Sequence, residues 1–157
     1  SRGSVVDFLR KNPNLKKARI TDPAMTRFWI TFKQSFGIVD FALNNMVGGE
    51  VFIPNKLPSM KLSDLFDAIV PNAEKEFVGA RPGEKTHEIL LTKEESRRAV
   101  DMGDVYVVFS SFPHSQDIYA KYLEDGKKLE PEFYFASDTN KFWLTKEDFK
   151  KLLEEES

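Results

Sequence analysis

The turn Arg81-Pro82-Gly83-Glu84 carries the residue types in this chain that are best suited to ligand chemistry. A guanidinium presents a rigid fork of donors that matches phosphate oxygens, so Arg81 is a candidate phosphate ligand. Pro82 fixes its own φ and Gly83 tolerates unusual dihedrals, so the pair should hold the two charged side chains in one relative geometry. A carboxylate at Glu84 suits a sugar hydroxyl beside that phosphate. The turn indicates a nucleotide or nucleotide-sugar, although these residues alone equally allow a solvated turn with a local ion pair.

Arg27 is the second candidate for phosphate binding. It lies in Met25-Thr26-Arg27-Phe28-Trp29-Ile30, at the start of a predicted short strand, where bulky aromatic neighbours could orient it. It could converge with Arg81 on one phosphate group, but spacing alone favours a surface salt bridge. His87 follows the turn and could donate to an anion; a helix-surface position is the simpler interpretation.

The composition restricts the function classes further. The chain has 157 residues, no Cys and a net charge of −2, so it predicts one domain with no disulfide and no cysteine-ligated metal. His114 has no partner at metal-ligand spacing, and we expect no metal site of another kind. The balanced charge argues against nucleic-acid or anionic-membrane binding, and no apolar run approaches the ~20 residues of a membrane span. We expect a cytoplasmic protein. Because the sequence opens at Ser1 without an initiator Met, we also expect it to begin within a longer polypeptide.

The spacing of apolar residues predicts a mixed chain of class α+β. Helices are expected after the caps Ser4, Thr31 and Thr92, over Leu62 to Ile69, and from Leu144 onwards. The Thr31 helix carries an apolar stripe: Phe32, Phe36, Val39, Leu43 and Met46. Pro82 predicts that Glu84 to Leu91 continues as a helix, and the stretch from Tyr119 to Phe135 reads as irregular. Strands are predicted at residues 17–21, 27–30, 50–54, 75–80 and 104–110, and the strand at 50–54 is expected to be buried.

Several sequence blocks together resemble one known family. They are Ser1-Arg2-Gly3-Ser4-Val5, the block from Ile20 to Ile30 that includes Met-Thr-Arg-Phe-Trp-Ile, Gly49-Glu50-Val51-Phe52-Ile53-Pro54, Pro58-Ser59-Met60-Lys61, Gly79 to Lys85, and Ser137-Asp138-Thr139-Asn140. In this order they resemble the C-terminal portion of inverting UDP-N-acetylglucosamine 4,6-dehydratases. These enzymes are extended short-chain dehydrogenases (α/β, Rossmann) of the polysaccharide biosynthesis protein family. The resemblance covers essentially the whole chain.

The resemblance implies site residues and an organisation. It implies that Arg27 and Arg81 approach the UDP diphosphate, that Glu84 approaches the ribose hydroxyls, and that the strand near Arg19 lies by the uracil. It implies a single UDP-sugar-binding region over residues 1–157, with the UDP-binding segments in a core over 1–91 and a C-terminal extension over 92–157. In such enzymes NADP is held by an N-terminal Rossmann half with a glycine-rich loop and a Tyr-x-x-x-Lys pair.

None of that cofactor machinery is present in this sequence. It contains no Gly-x-Gly-x-x-Gly loop and no Tyr-x-x-x-Lys pair, so we expect this chain to bind no cofactor and to carry no catalytic residue. The predicted function is binding of a UDP-N-acetylhexosamine for a dehydratase of surface-polysaccharide biosynthesis. The Rossmann half would come from a missing segment or a separate chain. A UDP-sugar 4-epimerase parent and a non-catalytic interaction module that self-associates remain the alternatives.

Overall fold

The computed structural model describes residues 4–111 and 115–155, so the block Ser1-Arg2-Gly3 lies outside the described residues. Helices and short strands alternate irregularly, which confirms the α+β prediction. Ser4 caps the first helix by accepting the Asp7 N–H at 3.2 Å, and Thr31 and Thr92 each form a capping box. The helices are α1 (Val5–Lys11), α2 (Phe32–Asn45), α3 (Leu62–Ile69), α4 (Lys93–Ser96), α5 (Ser115–Asp125) and α6 (Lys146–Glu155). No helix among the described residues has the length and apolar character to cross a membrane.

The strands are short and fall into four small sheets. They are β1 (Lys17–Ile20), β2 (Thr26–Phe28), β3 (Val51–Pro54), β4 (Ser59–Lys61), β5 (Glu74–Phe77), β6 (Ile89–Leu91), β7 (Ala99–Asp101), β8 (Val105–Val108), β9 (Lys127–Lys128) and β10 (Phe135–Ala136). The pair β1–β5 is parallel, the pairs β2–β4 and β6–β10 are antiparallel, and the largest sheet has the antiparallel order β3-β8-β7-β9.

The chain folds into two compact units. The first comprises residues 4–29, 58–88 and 140–155, and it contains every candidate site residue. Its core packs α1, α3 and α6 against β1 and β4, with Phe149 fully buried and in edge-to-face contact with Trp29 at 4.5 Å between ring centroids. The sequence placed a boundary after residue 91, but each compact unit contains residues from both sides of it. The assignment of UDP binding to residues 1–91 stays a prediction.

The second unit comprises residues 30–57 and 89–139. Its core lies between the four-stranded sheet and helices α2 and α5. Val100 and Val107 are fully buried there, and the Phe109 ring contacts the rings of Tyr119 and Tyr122 edge-on, each at 5.2 Å. These aromatic contacts fix α5 on the sheet.

Helix α2 carries two apolar faces rather than one. Ile38 and Phe41 pack against the core of the second unit. The five-residue stripe predicted from the sequence, which we term the α2 stripe, lies beside that packed face and is exposed. Phe36 is 72% exposed and Leu43 71%. The polar side of the helix lies elsewhere on its circumference, at Lys33, Gly37, Asp40 and Asn44.

Three predictions of local structure are wrong. Residues 84–88 are irregular, with a bend at 86–87, rather than helical, because Gly83 at φ 80° closes a tight turn, and β6 follows. The segment that begins at Tyr119 is not irregular up to Asp125, because helical spacing places Ile118 and Tyr122 on one buried face of α5. The strand β3 is not buried throughout: Ile53 is 6% exposed but Val51 is 57% exposed, and β3 lies at the edge of its sheet.

Candidate functional site

The Arg81-Pro82-Gly83-Glu84 segment forms the rigid turn that its sequence predicts. The Glu84 N–H donates to the Arg81 carbonyl oxygen at 3.0 Å, and Gly83 has φ 80°. Pro at the second position and a positive-φ Gly at the third are the features of a type II turn. The Glu84 carboxylate also accepts the Arg81 N–H through Oε2 at 3.2 Å. The two charged residues are therefore locked together by backbone and side chain.

The turn is attached to the end of the parallel strand pair. Strands β1 and β5 run in register from Lys17 opposite Glu74 to Ile20 opposite Phe77, so both carboxyl ends reach the same edge. Thr21 follows β1, and its Oγ1 donates to Glu84 Oε1 at 3.1 Å. Carboxyl ends of parallel strands are the usual position for ligands in open α/β sheets. The turn is thus fixed at an edge where a ligand can approach.

Arg81 itself is available to a ligand. Its side chain is exposed, and within the part of the chain that the structure describes its guanidinium makes no hydrogen bond or ion pair. The carboxylate beside it is already oriented by Thr21 and by the Arg81 N–H. An exposed guanidinium in the same turn as a pre-oriented carboxylate can meet a phosphate and a neighbouring hydroxyl without rebuilding the turn.

Arg27 lies against the segment that follows the turn. Its Nη1 donates to the carbonyl oxygens of Thr26 at 2.7 Å and Thr86 at 3.0 Å, and its Nη2 donates to that of Lys85 at 3.0 Å. Its Nε is 3.8 Å from Glu88 Oε1. From the sequence, a surface salt bridge and a phosphate contact were alternatives for Arg27. The structure contains the salt bridge to Glu88, and Arg27 also donates hydrogen bonds to backbone carbonyl oxygens. Its contact with phosphate stays a prediction.

Two residues that the sequence did not single out, Thr26 and Glu88, join the site together with His87. Thr26 is buried, and its Oγ1 lies 2.8 Å from His87 Nδ1. Glu88 Oε2 accepts the Phe28 N–H at 2.9 Å. His87 is therefore not a helix-surface residue. The pairs are 60 or 61 positions apart in the sequence, so spacing within either segment gave no signal for them.

Charged groups elsewhere in the first unit serve to join elements. Asp67 of α3 binds Lys75 and Lys146, each at 2.6 Å, and so joins α3 to β5 and α6. Partial burial raises the pKa of the Asp67 carboxyl, but the hydrogen bonds from Lys146 and Lys75 outweigh it, and the pKa lies below its ordinary value. No group of three or more acidic or His side chains within residues 4–111 and 115–155 could hold a metal ion.

The fold and this site define a class of protein. The mixed α/β architecture matches part of an extended short-chain dehydrogenase. The solved structure of Pen from Bacillus thuringiensis superposes with a TM-score of 0.79 and 29% identity, over 99% of this chain and 46% of that one. The polysaccharide biosynthesis protein family matches residues 1–110, and this chain belongs to that family.

Individual relatives agree with the resemblance seen in the sequence. The chain is 36% identical to the inverting UDP-N-acetylglucosamine 4,6-dehydratase of Campylobacter jejuni over 98% of its own length and 47% of the relative. It is 33% identical to a UDP-glucose 4-epimerase of Rickettsia massiliae over 98% of its length and 46% of the relative. It therefore spans about half the length of the curated relatives it matches, and it corresponds to the C-terminal part of the dehydratase.

Proposed function

We propose that this chain is the substrate-binding part of a nucleotide-sugar enzyme of polysaccharide biosynthesis, with Arg27, Arg81 and Glu84 as the residues that contact UDP. The observation that carries the proposal is the locked turn, which presents an exposed Arg81 guanidinium beside a carboxylate held by Thr21. Arg81 and Arg27 would contact the diphosphate, and Glu84 would accept hydrogen bonds from the ribose hydroxyls.

The favoured substrate is a UDP-N-acetylhexosamine in a 4,6-dehydratase. Two Campylobacter relatives bear that name, each at 36% identity, whereas the epimerase of Rickettsia massiliae is 33% identical. In this proposal the chain is not catalytic alone. An NADP-dependent Rossmann portion would supply the redox chemistry, and the reaction would take place in the cytoplasm. The chain's own residues would bind the nucleotide and fix the position of the sugar.

Calorimetric titration with UDP tests the proposed binding. We expect measurable but modest affinity, and a loss of at least tenfold in Arg81→Ala, because each charge-assisted contact contributes about 1.5–3 kcal/mol. Arg81→Lys should recover only part of the loss, since an ammonium lacks the planar fork. Arg97→Ala is the matched control, because Arg97 is an exposed Arg of the second unit. A folded wild-type chain that does not bind UDP would contradict the proposal.

The α2 stripe and the free edge of β3 favour a proposed partner for the second unit. That partner is a Rossmann portion like the one that extended short-chain dehydrogenases carry, supplied in the same polypeptide or by a separate chain. The stripe has five large apolar side chains on one side of the helix, each at least 53% exposed. Covering this surface with a partner would remove apolar area from water and would be favourable. The relatives are about twice as long as this chain, so their folds include material of the size required.

Charge substitutions on the α2 stripe test this partner. The double variant Phe36→Asp/Leu43→Asp should lose the complex with a co-expressed N-terminal portion of the Campylobacter relative, with Lys33→Ala/Asp40→Ala on the polar side as the control. If sedimentation instead shows that the wild-type chain self-associates through the stripe, a second copy is the partner. A monomer that forms no such complex would contradict both.

A further inference from the structure

The segment from Glu84 to Glu88 is held to residues 21–28 at every position, although it forms no strand. Glu84 accepts from Thr21, and the Lys85 carbonyl accepts from Arg27. The Thr86 carbonyl accepts both the Thr26 N–H at 3.1 Å and Arg27 Nη1. His87 contacts Thr26, and Glu88 accepts the Phe28 N–H. Most of these bonds use a side chain, so the position of the ligand turn depends on a few specific residues.

Arg27 commits most of its guanidinium to this attachment, and the Nη2–H near Met25 Sδ is the weakly bonded donor that would remain for a phosphate. The group has five N–H donors. Two point at the Thr26 and Thr86 carbonyls, one points at the Lys85 carbonyl, and Nη2 also lies 3.7 Å from Met25 Sδ. The remaining Nε faces Glu88. Rotation of the guanidinium would break several of these bonds together.

Glu88 closes the attachment at its far end. One carboxylate oxygen accepts the β2 backbone N–H of Phe28 at 2.9 Å, and the other is 3.8 Å from Arg27 Nε. The side chain of Arg27 is 28% exposed and that of Glu88 is 43% exposed, so the pair is partly screened by solvent. The Glu88 carboxylate is nevertheless placed to hold the Arg27 guanidinium where it reaches the Lys85 and Thr86 carbonyls.

The negative charge of Glu88 lies next to Arg27, which is a proposed diphosphate ligand. A carboxylate close to an anion site lowers anion affinity by repulsion. As an unrelated neighbour, Glu88 would therefore weaken UDP binding. As the group that orients Arg27, it would strengthen binding through the position of the turn. The two roles predict opposite signs for the effect of removing the carboxylate.

We propose that Glu88 is a positioning residue for the diphosphate site: it orients Arg27, and Arg27 holds the segment that carries Arg81 and Glu84. This inference rests on the proposed function. Glu88 contacts β2 and Arg27 rather than ligand, so its effect on affinity passes through Arg27.

The test compares Glu88→Ala and Glu88→Gln with wild type in UDP titrations. Gln can still accept the Phe28 N–H but carries no charge for Arg27. We expect about tenfold weaker binding in Glu88→Ala and an intermediate loss in Glu88→Gln. Tighter binding in both would overturn the proposal. In an Arg27→Ala background, Glu88→Ala should cause little further loss; a full additional tenfold loss would show that Glu88 does not act through Arg27.

Amide hydrogen exchange over residues 79–88 provides a measurement that needs no ligand. Glu88→Ala should exchange faster there, with unchanged exchange in the second unit. Unchanged exchange over 79–88 overturns the proposal even if UDP binds. If the wild-type chain binds no UDP, the proposed function fails and the role in diphosphate binding fails with it. Faster exchange in Glu88→Ala would then still show that Glu88 holds the turn.

Discussion

Thr21 and Glu84 are 63 positions apart in the chain, yet Thr21 Oγ1 donates to Glu84 Oε1 at 3.1 Å. This bond connects the loop after β1 to the turn that follows β5. It orients the carboxylate that stands beside Arg81. One hydroxyl therefore helps to orient the carboxylate of the turn toward a ligand.

Thr21→Val should weaken UDP binding several-fold while leaving the fold intact. Valine has nearly the same shape but cannot donate, so the Glu84 carboxylate would lose one of its two orienting bonds, at a cost of about 1 kcal/mol. Thr21→Ser keeps the hydroxyl and is the matched control. Calorimetry with UDP and thermal melting of all three proteins would check this. Equal affinity in Val and Ser variants would show that the bond does not matter for binding.

Two glycine substitutions should change stability in opposite directions. A Cβ at Gly126 would overlap Val100 Cγ1 and would lie 3.0 Å from the Asp101 carbonyl oxygen. Gly126→Ala should therefore destabilise the chain by about 1–3 kcal/mol. Gly37 is in α2, and a Cβ added there would meet no atom within 4 Å, so Gly37→Ala should stabilise by about 0.5–1 kcal/mol. Urea unfolding measures both, and a Gly126→Ala variant as stable as wild type would contradict the packing at Gly126.

Asp67 should contribute stability that disappears in acid. Its folded-state pKa lies below the ordinary value, because its bonds to Lys146 and Lys75 outweigh the effect of burial. The contribution is therefore present above about pH 4 and is lost as the pH falls through the folded-state pKa. Asp67→Asn should cost about 1 kcal/mol near neutral pH, since both pairs are partly exposed. Urea unfolding at pH 7 and pH 3 should show the difference between the two proteins shrinking in acid.

Tyr122 should contribute stability that disappears in base. Partial burial and the nearby Glu50 charge raise its pKa to about 12, and its hydroxyl donates to the Asn45 carbonyl at 2.7 Å. An unfolded Tyr ionises near pH 10, so this contribution is complete below about pH 10 and is lost as the pH rises toward the folded-state value. Tyr122→Phe should be less stable by about 1 kcal/mol at pH 8. Urea unfolding at pH 8 and pH 11 should show that the two proteins differ less in free energy of unfolding at the higher pH.

The turn could be predicted because its determinants are local. Pro82 and Gly83 set the backbone, and the charged residues on either side are adjacent in the sequence. The helix caps at Ser4, Thr31 and Thr92 are local in the same way. The resemblance also gave the family correctly.

The attachments of the turn could not be predicted, because they join segments about 60 residues apart. Thr21, Thr26 and Glu88 take part through partners that only the fold brings near. The apolar side of α2 was recognised from its spacing, but periodicity cannot distinguish a side that the unit covers from one that it leaves exposed. Proline at a first-turn position suggested a helix after Arg81, and the positive φ of Gly83 decided against it.

The first unit is assembled from three separated stretches of chain, and this has a consequence for synthesis. Leu9 and Phe149 are both fully buried in the same core, so the core lacks a large side chain until α6 is present. On the ribosome, the residues that form the ligand turn emerge well before α6 does. A nascent chain would therefore have the complete turn sequence but no stable core to hold it. The capacity to bind a ligand should thus arise in a single step after α6 leaves the exit tunnel.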